Sequence, residues 1–181
     1  FQSHRQPGSS IKPLIVYTPA FERGYDPNTI VDDHKFEGGP SNATNTYAGK
    51  IQLRYAVAKS LNTVAWQVYE QVTPKVGLQY LKNMNFSSIV KDDYTLATSL
   101  GGFTKGVSPL EMASAYAALE NDGMFRQPNC IKSIVDADEN VVYSSQMAEV
   151  SIYEKDATRT MTDVLTTVMD SGTGRALKLS N

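Results

Sequence analysis

Ser9 and Lys12 stand three residues apart in Ser-Ser-Ile-Lys-Pro-Leu-Ile-Val-Tyr, a stretch that reads as a helix start with serine as its cap. Positions i and i+3 share a helix face, so the Lys12 amine can reach the Ser9 hydroxyl. A serine hydroxyl is a weak nucleophile until a base stands beside it. Lysine can be that base when burial or cationic neighbours lower its pKa. The N-terminus of the helix offers N–H groups to an oxyanion forming on an acylated substrate. Ser10 is two residues from Lys12 and points elsewhere on the helix, which leaves Ser9 as the candidate nucleophile. By itself the same pattern also describes a capping serine followed by a solvated lysine.

Ser60-Leu61-Asn62 is the second candidate. A serine and an asparagine two apart in a turn can face one cleft, the hydroxyl relaying a proton and the amide holding a carbonyl. The competing reading is a helix ended by polar side chains. Thr98 and Ser99 could line such a cleft, whereas Trp66, Tyr69 and Tyr80 read as packing residues and Cys130 as a buried, inert thiol opening a strand.

These side chains need elements to hold them. Residues 51–72 carry a helical apolar pattern interrupted at Ser60–Thr63. Thr73-Pro74 predicts an N-cap and N1 proline of a helix reaching about Asn83. Ser108-Pro109-Leu110-Glu111 has the form of a capping box, opening an Ala-rich helix that ends at Asp122-Gly123. Residues 130–136 and 140–144 predict a hairpin, and 154–169 a last amphipathic helix stopped by Ser171-Gly-Thr-Gly174. Residues 21–49, rich in Gly, Pro, Asp and Asn, read as a long surface excursion with short strands at most. The fold class expected is helix-rich α+β. The 181 residues carry 17 basic and 19 acidic side chains, giving no electrostatic case for a nucleic-acid partner. One cysteine excludes an internal disulfide, and two histidines 30 positions apart show no metal-ligand spacing. No apolar run approaches the about 18 residues of a membrane helix.

Gln6-Pro-Gly-Ser-Ser-Ile-Lys-Pro13 followed by Ala58-Lys-Ser-Leu-Asn62 closely resembles the transpeptidase domain of penicillin-binding proteins. The resemblance extends through Gly38-Gly-Pro40 with Asn42, Leu100–Tyr116, Asn121-Asp-Gly123 and Ser171–Gly174, and is to the bifunctional class A branch. It implies a serine D,D-transpeptidase acting on the D-alanyl-D-alanine end of a peptidoglycan stem peptide, without cofactor or metal. Ser9 would form the acyl-enzyme, Lys12 would take its proton, Ser60 would pass that proton to the leaving amine, and Asn62 would hold Lys12 and the substrate amide. β-Lactam antibiotics would acylate Ser9. The alternatives carrying the same Ser-x-x-Lys are a β-lactamase-type hydrolase and a penicillin-sensing receptor domain.

The family's third motif, Lys-Thr/Ser-Gly on a sheet strand, is absent from the 181 residues, and Thr104-Lys105-Gly106 lacks its hydroxyl residue. The opening on Phe1 and the stop at Asn181 suggest cut ends. The expectation is therefore the helical part of the domain with most of the central sheet missing, completed by a complementary chain bearing that motif. The same resemblance implies an extracytoplasmic location, with the membrane anchor and glycosyltransferase module outside this chain.

Overall fold

Pro13 decides how the chain around the candidate nucleophile is wound. Having no N–H, it cannot bond the Ser9 carbonyl, which the Lys12 N–H takes instead, closing a 3₁₀ turn over Gly8–Ile11. A π-helical turn follows over Pro13–Tyr17, where the Thr18 N–H donates to the Pro13 carbonyl and Thr18 Oγ1 donates to the same oxygen at 2.7 Å. Regular helix begins only at α1, Thr18–Glu22. The sequence predicts an ordinary helix from Ser9, and the proline is the reason for the difference. In a 3₁₀ turn residues i and i+3 eclipse, which stacks Lys12 over Ser9 more directly than an α-helix does.

This is a computed structural model, and it describes residues 3–146 and 148–177. Phe1 and Asn181, the two residues behind the expectation of cut ends, lie outside the described residues. Ile11, Leu14, Ile15, Val16, Tyr17 and Ala20 are all at most 1% exposed, and the run from 11 to 21 is buried on every side, Lys12 and Thr18 included, and forms the centre of the core. It is enclosed by α3 (Asn62–Val72), α4 (Pro74–Asn83) and α6 (Lys155–Asp170). In α6 the buried positions Ala157, Met161 and Val164 follow helical spacing. The apolar side chains of this run are thus covered from within the chain. Apolar residues face solvent on the hairpin of β4 (Ser133–Val135) and β5 (Val141–Ser144), where Ile134, Val135, Val141 and Val142 are exposed, and singly elsewhere, as at Ile30, Val150 and Leu177.

The start signals at Ser108 and Thr73 are where the sequence places them, whereas the cap expected of Ser9 is not formed: Pro7 stands at the N-cap of its turn, with no side-chain cap, and Ser9 lies inside it. Ser108 Oγ accepts from the Glu111 N–H, and Glu111 accepts from the Ser108 N–H, opening α5 (Pro109–Glu120) with a complete capping box. Thr73 caps α4 through the Val76 N–H. Three separate two-stranded antiparallel sheets are present among the described residues, in keeping with a helix-rich α+β chain: β1 (Ile30–Asp33) with β2 (Gly49–Gln52), β3 (Met124–Arg126) with β6 (Glu149–Ser151), and β4 with β5. β1 lies inside the stretch read as a surface excursion, while β2 starts at its last residue and takes Ile51 and Gln52 from the stretch expected to be helical; the pairing brings Asp33 opposite Gly49. Cys130 is exposed and precedes β4, which corrects its reading as a buried thiol opening a strand. No helix among the described residues is long and apolar enough to cross a membrane.

Candidate active site

Helix α2 (Leu53–Ala58) ends in a turn at Lys59-Ser60-Leu61 before α3 begins, and that turn brings the second candidate pair to the first. Ser60 adopts a left-handed φ of 54°, a conformation a non-glycine residue holds only when its surroundings impose it. Lys12 Nζ donates to the Ser60 carbonyl at 2.8 Å, to Ser60 Oγ at 3.2 Å and to Asn62 Oδ1 at 2.8 Å. The two sequence candidates, about fifty residues apart, therefore meet on one ammonium group.

Lys12 is 2% exposed. Burial disfavours its charged form and lowers its pKa to about 8. Its three contacts are all to neutral oxygens, which hold the ammonium in place without adding a carboxylate charge. A neutral amine keeps two N–H bonds and gains a lone pair. The two 2.8 Å acceptors have no proton of their own to give, so they retain the N–H bonds, and the lone pair is left for a hydroxyl.

Ser9 is exposed and, among the described residues, its hydroxyl makes no hydrogen bond. It borders a cleft of about 210 Å³ with Lys12, Ser60, Tyr116 and Thr173. Ser10 Oγ donates to the Pro7 carbonyl at 2.6 Å, so the neighbouring hydroxyl is tied to its own turn. Thr98 and Ser99, read as possible cleft residues, are fully buried and bond the Asp93 and Leu96 carbonyls, which corrects that reading. A cavity of about 280 Å³ lies elsewhere, beside Glu111 and Phe125, but the Glu111 carboxylate there is occupied by Ser87 and Ser108. Among the described residues no group of three or more His, Cys, Asp or Glu side chains could hold a metal ion.

Other elements fix the turn that carries Ser9. Gln6 pairs its carboxamide with the Phe103 backbone, Oε1 accepting from the N–H at 2.8 Å and Nε2 donating to the carbonyl. Tyr116 on α5 donates from its hydroxyl to the Ser10 carbonyl at 2.7 Å. The sequence attaches no role to Tyr116; only the distance across 106 residues exposes it. Replacing Tyr116 with phenylalanine removes one hydrogen bond of about 1 kcal/mol. About a fivefold slower covalent capture of a serine-directed reagent is expected, with melting temperature little changed. Thr173, in the loop that ends α6, donates its N–H to the Ala58 carbonyl at 3.1 Å and closes the cleft's other side.

The family model for the penicillin binding protein transpeptidase domain matches residues 1–180. Penicillin-binding protein 4 of Bacillus subtilis is 32% identical over 179 residues, covering 97% of this chain and 29% of that protein. Penicillin-binding protein 1A/1B of the same organism is 33% identical, covering 96% of this chain and 20% of that protein. The crystal structure of penicillin-binding protein 1A from Haemophilus influenzae superposes with a TM-score of 0.83 at 21% identity, covering 99% of this chain and 33% of that one. The D,D-transpeptidase domain of a peptidoglycan glycosyltransferase from Eggerthella lenta gives 0.81 at 23% identity, covering 99% of this chain and 52% of that one. The chain thus spans 20–29% of the length of these two curated relatives.

Proposed function

The chain belongs to the penicillin-binding protein transpeptidase domain family, and we propose that it contributes the nucleophile-bearing part of a serine D,D-transpeptidase that cross-links peptidoglycan stem peptides. The observation that carries this reading is the buried Lys12, its ammonium held by Ser60 and Asn62 beside an exposed and unbonded Ser9.

In this mechanism Ser9 Oγ attacks the carbonyl of the penultimate D-alanine, and its proton passes to the neutral Lys12 amine. The tetrahedral intermediate collapses with cleavage of the C–N bond. The departing D-alanine amine takes the proton from Lys12 through Ser60 Oγ, whose 3.2 Å contact to Nζ can run in either direction. An ester on Ser9 remains. An amine from a neighbouring stem then attacks it and passes a proton through Ser60 Oγ to the neutral Lys12, Lys12 delivers that proton to Ser9 Oγ as the ester C–O bond breaks, and the new amide is the cross-link. A β-lactam opens its ring on Ser9 by the same first step but carries its leaving amine with it, which leaves the ester in place.

Asn62 has divided duties in this scheme. Its Oδ1 holds Lys12 and its Nδ2 donates to the Ser41 carbonyl at 2.9 Å, which leaves one N–H for a substrate carbonyl. Thr104-Lys105-Gly106 does not border the cleft. The substrate carboxylate is therefore assigned to a Lys-Thr/Ser-Gly strand supplied by a complementary segment, and the site to the extracytoplasmic side of the membrane.

The test is to incubate the intact protein with a fluorescent penicillin and sequence the labelled peptide by mass spectrometry. The adduct is expected on Ser9 and is expected to persist in Ser10→Ala. Label on a peptide lacking Ser9 overturns the assignment, and rapid loss of the label favours a hydrolase instead.

A further inference from the structure

Asp33 lies at the end of β1, 1% exposed, and among the described residues no lysine or arginine pairs with it. A buried carboxylate without a cation is costly and survives only when donors surround it. Three do. Asn42 Nδ2 donates to Oδ1 at 2.7 Å, Thr63 Oγ1 donates to the same oxygen, and the Ala48 N–H donates to Oδ2 at 2.7 Å.

Asn42 is 3% exposed. Its Nδ2 serves Asp33 and the Thr46 carbonyl, while its Oδ1 accepts from the N–H groups of Asn62 at 2.8 Å and Thr63 at 3.3 Å. The amide orientation is unambiguous, because two acceptors face one end and two backbone donors the other. Those two N–H groups open α3, whose own N-cap residue is Leu61 and offers no side-chain cap. Asn42 caps the helix from twenty residues away, and Asp33 holds Asn42 in the one orientation that does so.

The first turn of α3 carries Asn62, whose Oδ1 lies 2.8 Å from Lys12 Nζ. We propose that Asp33 and Asn42 are positioning residues of the acylation site: the buried carboxylate orients Asn42, Asn42 fixes the start of α3, and that turn holds Asn62 and Ser60 on Lys12. Neither touches the substrate. The proposal rests on the transpeptidase reading, since its effect is felt through Lys12.

The two residues offer a swap that inverts donor and acceptor. Asp33→Asn alone turns an amide N–H toward a donor, and Asn42→Asp alone sets two buried carboxylates against each other. The double swap Asp33→Asn/Asn42→Asp restores a donor–acceptor pair, the Ala48 bond and the cap on α3, and loses the Thr46 contact and the bond that Thr63 Oγ1 donates to residue 33. The intact protein and its variants are to be compared by stopped-flow acylation with a fluorescent penicillin, which separates the acylation rate constant from the dissociation constant of the prior complex.

Expected are about tenfold slower acylation in Asp33→Asn and about a hundredfold in Asn42→Asp, both at an unchanged dissociation constant, with the double swap within about fivefold of wild type. Should Asn42→Asp fail to fold, Asp33→Asn and the double swap decide. An unchanged acylation constant in folded Asp33→Asn overturns the proposal. So does a loss confined to the fraction of active protein, because that is a stability effect. A wild-type protein that takes no acyl group overturns the transpeptidase reading along with this one, whereas an acylated wild type with indifferent variants overturns this one alone.

Discussion

Replacing Lys12 with alanine is expected to slow acylation by a penicillin about a thousandfold or more, the range over which a positioned general base acts. The cause is specific to where this lysine sits. Its three acceptors are neutral oxygens and no carboxylate stabilises its charge, so burial dominates and brings its pKa from 10.5 to about 8. A sizeable fraction of the protein then holds a neutral amine near neutral pH, which an exposed lysine does not. The wild-type acylation rate is accordingly expected to rise with pH through about 8 and then level off. Lys12→Ala is expected to lose that inflection along with the rate. A pH–rate profile of both proteins checks this, and a wild-type inflection near 10.5 sinks the assignment of Lys12 as base.

The same shift has a signature in stability. Below pH 8 Lys12 is protonated in both folded and unfolded chains, and above 10.5 in neither. Between those values only the unfolded chain binds the proton, so stability rises with pH across that window. The gain is on the order of 3 kcal/mol, from 1.36 kcal/mol per pKa unit. It is read as the difference in unfolding free energy between wild type and Lys12→Met, with other titrating groups cancelling. The charged form that Lys12 would reach on taking a proton is held against the preference of the fold.

Gly101→Ala is expected to abolish penicillin capture for a different reason. Gly101 follows the 3₁₀ turn Leu96–Leu100 with a φ of 86°, where a side chain is strained by about 1–2 kcal/mol. A Cβ there would overlap the backbone of Gly8, at its N, Cα and O atoms. Backbone cannot swing aside as a flexible side chain does, so the turn carrying Ser9 must move away from Lys12. A drop in melting temperature together with a loss of acylation of at least about a hundredfold is expected, since a displacement of about 1 Å at a reacting atom costs that much. Gly102, whose φ is not left-handed and whose Cβ would meet Ala97 at 3.2 Å, serves as the neighbouring control: Gly102→Ala is expected to keep most of the activity. Retained acylation in Gly101→Ala, measured by gel fluorescence against that control, contradicts the role given to the Gly8–Gly101 contact.

The features legible in the amino-acid order are those whose physics is local. Ser108 and Glu111 cap α5 because both groups lie within one turn, and Thr73-Pro74 opens α4 for the same reason. The hairpin of β4 and β5 follows from a short polar turn between apolar stretches. What the order hides is long-range. The β3–β6 pair joins Phe125 to Val150 across a hairpin, and nothing in either triplet names the other. Asp33 stands in a stretch that reads as loop, and only its burial reveals it as the anchor of Asn42. Asn42 is the first residue of an Asn-Ala-Thr triplet, a glycosylation-like signal that its 3% exposure empties of meaning. Cys130 reads as a buried thiol because unpaired cysteines usually are, and here it sits on an exposed loop instead.

The order of residues was enough to pair Ser9 with Lys12 and Ser60 with Asn62, because a helical turn and a tight turn set those spacings whatever surrounds them. It was not enough to say that the two pairs share one ammonium, that Lys12 is buried while Ser9 is open, or that Asp33 stands behind them. Each of these depends on how α3 and α6 close around the run from 11 to 21. Burial is a property of the packed neighbours and not of the residue. The pKa of Lys12 falls here because the fold takes water away from it.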